Sequence, residues 1–318
     1  MLAGIKPHEP ATIVCRASAS RDQVKGTASA GGNLVATDLL AGNFVEALRD
    51  RLAVAELGAT MLTGLVGDVS IPKRTGTATA YWFGADNADA VTESTGTIGT
   101  ISMSPKTVGA YSKFSRLMEL QSTPDIEQLI RADFVALLAD AIDTAAINGS
   151  GSSSQPTGIL QTTGIGSVAG GTNGLAPTLD HLLDLKKEVA VHNADVATCG
   201  FLTNAKVESV LAKAKDSQGQ YHLSPHGAEL GRSQIAGRRL EVSNNVPSNL
   251  TKGTGTNLSA VIYGNFTDLL IGMFGQLEIL VDPYTDFAKG TTGVRALQTI
   301  DIAVRHAESF AAMQDAIA

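Results

Sequence analysis

Residues 122–160 read STPDIEQLIRADFVALLADAIDTAAINGSGSSSQPTGIL, and the fold turns on this stretch. Apolar residues recur at Ile126, Leu129, Ile130, Val135, Leu137, Leu138, Ile142 and Ala145, close to the helical period, so the spacing predicts a helix from Pro124 to Ile147. At the helical rise such an element is about 36 Å long, enough to cross a whole domain. Ser122 or Thr123 is the expected N-cap. Pro124 suits the first helical position, where no N–H is needed, and Asp125 suits the positive end of the helix dipole. Asn148-Gly149 is a stop signal. A glycine- and serine-rich turn follows and ends in Gln155-Pro156-Thr157-Gly158-Ile159-Leu160.

Working outward, the chain of 318 residues is long enough for two domains, or for one with large extensions. Hydrophobic residues make up 43%, which supplies a sizeable core, while only 17% are charged, below the usual quarter. A surface of Ala, Thr, Ser and Gly with few long charged side chains suits packing against other chains. The formal net charge of −7 argues against a dedicated nucleic-acid grip, since no basic run exceeds Lys73-Arg74, Lys186-Lys187 or Arg238-Arg239. Cys15 and Cys199 provide neither a disulfide framework nor metal-ligand spacing, and fit a reducing compartment. No apolar run reaches the length of a membrane span, and the first residues lack the apolar core of a signal peptide.

Upstream of the central stretch, residues 1–32 have the composition of an arm, and 38–55 carry helical spacing through Leu39, Leu40, Phe44, Val45, Leu48 and Leu52. Residues 64–114 alternate glycine and threonine with short β-prone runs. Residues 77–83 are read as one strand, with 100–104 and 106–111 as its return, giving a long two-stranded excursion. Such a ribbon is marginal alone in water, and a partner chain is the expected support. Downstream, helices are expected from Thr178 and over 204–215. Strands are expected over 198–203, 235–242, 260–266 and 294–304, with 269–273 and 276–281 as a hairpin. Alternation of strand and helix after residue 177 indicates an α/β or α+β layer.

Motifs for chemistry are mostly missing. The sequence contains no phosphate-binding glycine loop, no nucleophile elbow and no zinc-binding His pair on a helix. His222 and His226 are four apart, but Pro225 between them disfavours the helix that would make them ligands. Asp282 and Asp286 read as a turn between strands. Ser150, Ser152, Ser153 and Ser154 have no supporting histidine. Neither a catalytic residue, a cofactor nor a metal is therefore expected. Trp82, beside Tyr81 and Phe83, has two readings of equal weight: packing within its own hairpin, or anchoring on a neighbouring chain.

The run from Asn148 to Leu160 after a long helix resembles the NGxG…QPxGIL signature of tailed-phage major capsid proteins of the HK97 fold. Further pieces follow in that family's order: Ala30 to Val35 at the end of an N-terminal arm; Ile71-Pro72, Tyr81-Trp82 and Thr92-Glu93 in an extended loop, the E-loop; Phe201-Leu202-Thr203-Asn204 and Lys215 to Tyr221; Ile235 to Val242, with Arg239 where proline is usual; and Ile262 to Phe266. The resemblance covers about residues 30–312. It implies an α+β fold with an N-terminal arm at 1–43 and an E-loop at 64–114. The peripheral domain would comprise 44–63, 115–176 and 266–306, and the axial domain 177–265 and 307–318.

By the same resemblance the chain assembles with itself into hexamers and pentamers that close an icosahedral shell around double-stranded DNA. Portal, scaffolding or decoration proteins are further partners. The chain resides in the virion after assembly in the host bacterial cytoplasm. Arg74, Tyr81, Trp82 and Glu93 are the expected intersubunit contacts. Some members cross-link an E-loop lysine to a neighbour's asparagine, but here Ser94 follows Glu93, so no such isopeptide is expected. Only about thirty residues precede Gly31-Gly32, so a scaffolding segment has either been removed or is a separate protein. An encapsulin-type compartment shell and, further off, a soluble hydrolase are the alternatives.

Overall fold

The helical spacing of the central stretch becomes a helix of 23 residues, Ile126–Asn148, in the computed structural model, which describes residues 52–81, 93–121, 125–215, 218–219 and 234–318. Its N-cap is Asp125, whose carboxylate accepts the Glu127 N–H at 3.0 Å. Asp125 thus takes the place expected for Ser122 or Thr123, which with Pro124 lie outside the described residues. Phe134, Leu138, Ile142, Ala145 and Ala146 are buried along one stripe. Val135 and Leu137 point away from it and are about half exposed, 48% and 44%. The sequence period marked both as part of the apolar stripe; the geometry leaves them on an outer face.

In chain order the elements begin with α1 (Ala53–Glu56), β1 (Thr60–Leu62), β2 (Val69–Arg74), β3 (Ile98–Met103), β4 (Lys106–Ser115), α2 (Arg116–Gln121) and the spine α3 (Ile126–Asn148). They continue with β5 (Gly166–Ser167), α4 (Leu179–Val191), β6 (Gly200–Thr203), α5 (Ala205–Lys213), β7 (Gln234–Ile235), β8 (Arg238–Val242), β9 (Leu250–Lys252) and β10 (Gly255–Gly264). Last come β11 (Leu269–Met273), β12 (Glu278–Asp282), β13 (Thr291–Val304) and β14 (Phe310–Ala316).

The first sheet is built on β13. Along one edge β4 pairs antiparallel with it over ten residues, from Thr291↔Ser115 to Ile300↔Lys106. Along the other edge β11 and β12 follow one another, with register Leu269↔Val304 to Met273↔Ile300 and then Glu278↔Leu297 to Asp282↔Gly293. The expected hairpin of 269–273 with 276–281 is therefore a single line of chain with a break, and it pairs with β13 rather than with itself. Gly275, at φ +89°, sits in the break. β1 adds a parallel strand outside β11.

The two-stranded ribbon also differs from its expected pairing. Its strands are β2 and β3, joined from Val69↔Met103 to Arg74↔Ile98. The described part of 77–83 is not a strand, and 106–111 belongs to β4 in the sheet. Threonine-rich runs have β propensity wherever they fall, and long-range pairing decides which are used.

The second sheet runs β5-β14-β10-β6-β8-β7, with β9 also on β10. Strand alternation sorts β10 between two cores. Val261 and Tyr263 face α4 and α5, meeting Leu185, Val189, Val207, Leu211 and Phe201. Ala260 and Ile262 face the other way and share a core with Ile142, Ala146 and Ile147 of the spine and with Ile271, Ile300 and Ile302 of the first sheet. The C-terminal half of α3 thus fastens the two sheets together. The capping box on α4 is Thr178 with His181, so this histidine has a structural role.

Candidate assembly surfaces

The exit from the spine helix explains its own sequence. Gly149 donates to Ala145 O at 2.9 Å, and Gly158 returns to donate to Gly149 O at 2.9 Å. Ser150 and Thr157 form a bridge between the two arms. Gln155 folds back, its Oε1 accepting the Ser150 N–H at 3.1 Å and the Ser150 hydroxyl at 2.9 Å. Gln161 Nε2 donates to Asn148 Oδ1 at 2.9 Å. The backbone crosses itself so closely that a Cβ on Gly158 would lie 2.4 Å from Gly149 N, and one on Gly149 2.3 Å from Pro156 O. Both glycines have negative φ, −59° and −80°, so lack of space demands glycine here, not backbone conformation. Ser152 donates to Ser150 and Ser150 to Gln155, an arrangement that locks the turn.

The ribbon β2–β3 pairs only with itself among the described residues. Its base is held by Met103 and Ile101, both buried, while Ile98 at the far end is 77% exposed. Beyond the strands, Ser94 clamps the two arms: its hydroxyl accepts the Thr79 N–H at 2.7 Å and donates to Thr79 O at 3.2 Å. The side chain that stands where a cross-linking lysine was sought therefore holds the ribbon together. Arg74 Nε donates to Gly76 O at 3.2 Å within the ribbon. Tyr81 is 46% exposed and Glu93 is exposed. Trp82 lies outside the described residues.

Two apolar features have no cover among the described residues. The first is a groove of about 680 Å³ between α3 and the break in the β11–β12 line, lined by Leu52, Met61, Val135, Leu138, Met273 and Leu277 with Gln276 and Gln298. The second is α2, a six-residue helix with no buried residue, in which Leu117, Met118 and Leu120 are all at least half exposed. Sequence reasoning missed both. Apolar periodicity reports that a face is greasy, not whether its own chain covers it.

Titratable groups have structural partners. Asp143 is fully buried and accepts the Val54 N–H at 3.1 Å and Asn245 Nδ2 at 3.2 Å; burial without a cation raises its pKa above the ordinary carboxylate value. Tyr263 donates to Asp195 at 2.6 Å, and burial, reinforced by that bond, pushes its phenol up. Arg238 pairs with the same carboxylate at 2.8 Å. Burial would raise Asp315, but Lys252 at 2.6 Å and the Gly170 N–H outweigh it, so its pKa is lowered. The expected reading of Asp282 and Asp286 as turn residues agrees with the geometry. Asp282 accepts from the Tyr284 and Thr285 N–H groups, and Asp286 pairs with Lys113. No group of metal-ligating side chains occurs among the described residues, and His222 and His226 lie outside them.

A model of the phage capsid family matches residues 31–315. The chain is 30% identical over 298 residues to the major capsid protein of Halomonas phage phiHAP-1, covering 94% of this chain and 46% of that protein. It is 24% identical over 304 residues to the major capsid protein of Klebsiella oxytoca phage phiKO2, covering 89% and 68%. The chain thus spans about half to two-thirds of these relatives. Among solved structures, the capsid of a native GTA particle superposes with a TM-score of 0.74 at 20% identity, over 90% of this chain and 97% of the other. The chain matched from Gordonia phage Cozz gives 0.71 at 18% identity, over 96% and 99%. These are likenesses of fold, and they agree with the α+β, HK97-type architecture expected from the sequence. These matches lend no support to the compartment-shell or hydrolase alternatives. The chain belongs to the phage capsid family.

Proposed function

We propose that this chain is the shell-forming subunit of a tailed phage or phage-like particle, assembling with itself into hexamers and pentamers that close an icosahedral shell around double-stranded DNA. The observation that carries this reading is the family match across residues 31–315, which takes in both sheets, the spine and the ribbon. In this reading the first sheet with α3 forms the peripheral domain, the second sheet with α4 and α5 the axial domain, β2–β3 the E-loop, and residues 1–43 the N-terminal arm. The ribbon's self-contained pairing supports an E-loop that lies on a neighbour, because two strands alone are marginally stable. Arg74, Tyr81, Trp82 and Glu93 are proposed intersubunit contacts, supported by the exposure of Tyr81 and Glu93. The acidic balance of the chain suits a shell that encloses DNA without gripping its sequence.

Portal, scaffolding and decoration proteins are the further partners proposed, with assembly in the bacterial cytoplasm and residence in the virion. The chain's function is structural and involves no catalysis. Expression in a bacterial host, followed by sedimentation and electron microscopy, tests the reading. Hollow closed particles are expected. A monodisperse small oligomer at every concentration, with or without a coexpressed scaffolding protein, would overturn it.

A further inference from the structure

The ribbon β2–β3 leaves the first sheet through two roots, and both come down on one cross-strand pair. Gly272 of β11 and Asp301 of β13 lie directly opposite each other and so share a face of the sheet. Over Gly272 sit Leu65, from the segment that leads into β2, and Met103, the last residue of β3. A Cβ on Gly272 would lie 2.8 Å from Leu65 Cδ1 and 2.8 Å from Met103 Cε. The φ of Gly272 is not in the left-handed region, so glycine is needed here for the room that these two side chains take. Met103 is fully buried in that room, and Leu65 is fixed beside it by its N–H, which donates to Met273 O at 3.2 Å.

Asp301 holds the second root by charge. It is buried, and its carboxylate accepts the Ser104 N–H at 2.8 Å and Lys106 Nζ at 2.6 Å, on either side of Pro105 in the turn from β3 to β4. Charge-assisted bonds of this kind are among the stronger ones, and losing the carboxylate would leave a backbone N–H and an ammonium group without their acceptor. A ribbon tied at one root could pivot about it. Here the ties fall on two neighbouring strands, about 4.8 Å apart, which removes that rotation.

We propose that Gly272 and Asp301 are positioning residues for the ribbon: together they set the direction in which it leaves the sheet, in the free subunit, before any neighbour touches it. The ribbon's own pairing cannot do this, because among the described residues no third strand extends it and two strands alone are marginal. For its effect on assembly the inference rests on the reading of β2–β3 as the E-loop. On that reading the ribbon meets the neighbouring chain already aimed, and less ordering cost is left for the contact itself.

The test uses the full chain carrying Cys15→Ser, with the buried Cys199 retained. Nitroxide labels on Thr100→Cys in the ribbon and Ala132→Cys on α3, both exposed positions, report the distance from ribbon to body by pulsed electron spin resonance on unassembled subunits. One narrow distance distribution is expected. Asp301→Ala should broaden it, and Asp301→Asn, which keeps an acceptor for the Ser104 N–H but not the charge, should broaden it less. Gly272→Ala should move its mean, because the added methyl group meets only the flexible ends of Leu65 and Met103 and displaces the ribbon roots rather than the sheet. That second variant keeps the test decisive where loss of the buried carboxylate costs the fold. Both alanine variants are expected to lower the assembled fraction about fivefold or more at the concentration where half of the wild-type chain assembles. A broad or multiple distribution in the otherwise wild-type subunit would overturn the proposal whatever the chain assembles into, as would a Gly272→Ala distribution identical to wild type. Displaced distances with particles at wild-type yield would overturn the effect on assembly. If the wild-type chain forms no particles, the shell reading falls, and the distance measurement still decides whether the two residues aim the ribbon.

Discussion

Gly158→Ala tests the account of the helix exit most directly. At φ −80° and ψ 172° an alanine is conformationally welcome, and by chain entropy alone the substitution would stabilise the fold by about 0.4–1 kcal/mol. The space forbids it. The new methyl group would lie 2.4 Å from Gly149 N, 2.7 Å from Asn148 N and 2.8 Å from Ala145 O, against an ordinary contact of 3.4 Å or more. Those atoms are backbone at the end of α3, where Gly149 N is bonded to Ala145 O, so they cannot turn aside. The loop must lift by about 1 Å. That costs about 1–3 kcal/mol in overpacking and about 1 kcal/mol for the Gly158 to Gly149 hydrogen bond. The net expectation is a loss of about 2–3 kcal/mol, or roughly 3–5 °C in melting temperature for a chain of this size. Gly171→Ala is the internal control. Its Cβ would meet nothing closer than Gly174 O at 3.6 Å, and its φ lies outside the left-handed region, so it should be neutral or slightly stabilising. Urea denaturation of unassembled subunits, compared at constant m-value, measures both. If Gly158→Ala unfolds within 0.5 kcal/mol, roughly, of wild type, the claim that close backbone crossing explains the motif is wrong.

Other outcomes follow from the same structure. Asp143 has a raised pKa in the folded state, so its contribution is fully present below the ordinary value of 3.8 and is lost as pH rises through the folded value. The stability of wild type relative to Asp143→Asn should therefore fall from pH 4 towards pH 7, and a difference that rises over that range would refute the reading. In the two-residue turn between β7 and β8, Ala236 is held at φ +52° before Gly237 at +72°. Ala236→Asn should stabilise the chain by about 0.5–1 kcal/mol in a thermal melt, because Asn-Gly suits this turn. A denaturing gel of assembled material should show single chains only, since Ser94 occupies the ribbon site where a lysine was sought; a covalent ladder would contradict this.

Much of the architecture was legible in residues 122–160, and the reason is locality. A helix is written in its own spacing and caps, so α3 and its stop at Asn148-Gly149 could be read directly, and α4 and α5 likewise. β13 was legible because one long alternating run can hardly be anything else. The resemblance carried by 148–160 and the motifs after it supplied the fold family. The sequence could not say why those motifs are spelled as they are. Gly149 and Gly158 need glycine because two backbones nine residues apart cross at contact distance, a fact of three-dimensional packing.

Only tertiary structure decided the partners of the strands. Residues 269–273 and 276–281 have the look of a hairpin, yet the longer β13 offers both of them an edge, and its pairing outcompetes the local turn. Likewise 106–111 left the ribbon for β13, and 69–74, not 77–83, pairs with the return strand 98–103. The exposed apolar faces were hidden for a related reason. Val135 on α3 and Leu117 on α2 are as apolar as any core residue, and sequence marks them as greasy without saying what covers them. Among the described residues nothing covers either of them, because burial is decided by long-range packing that no local run of sequence records.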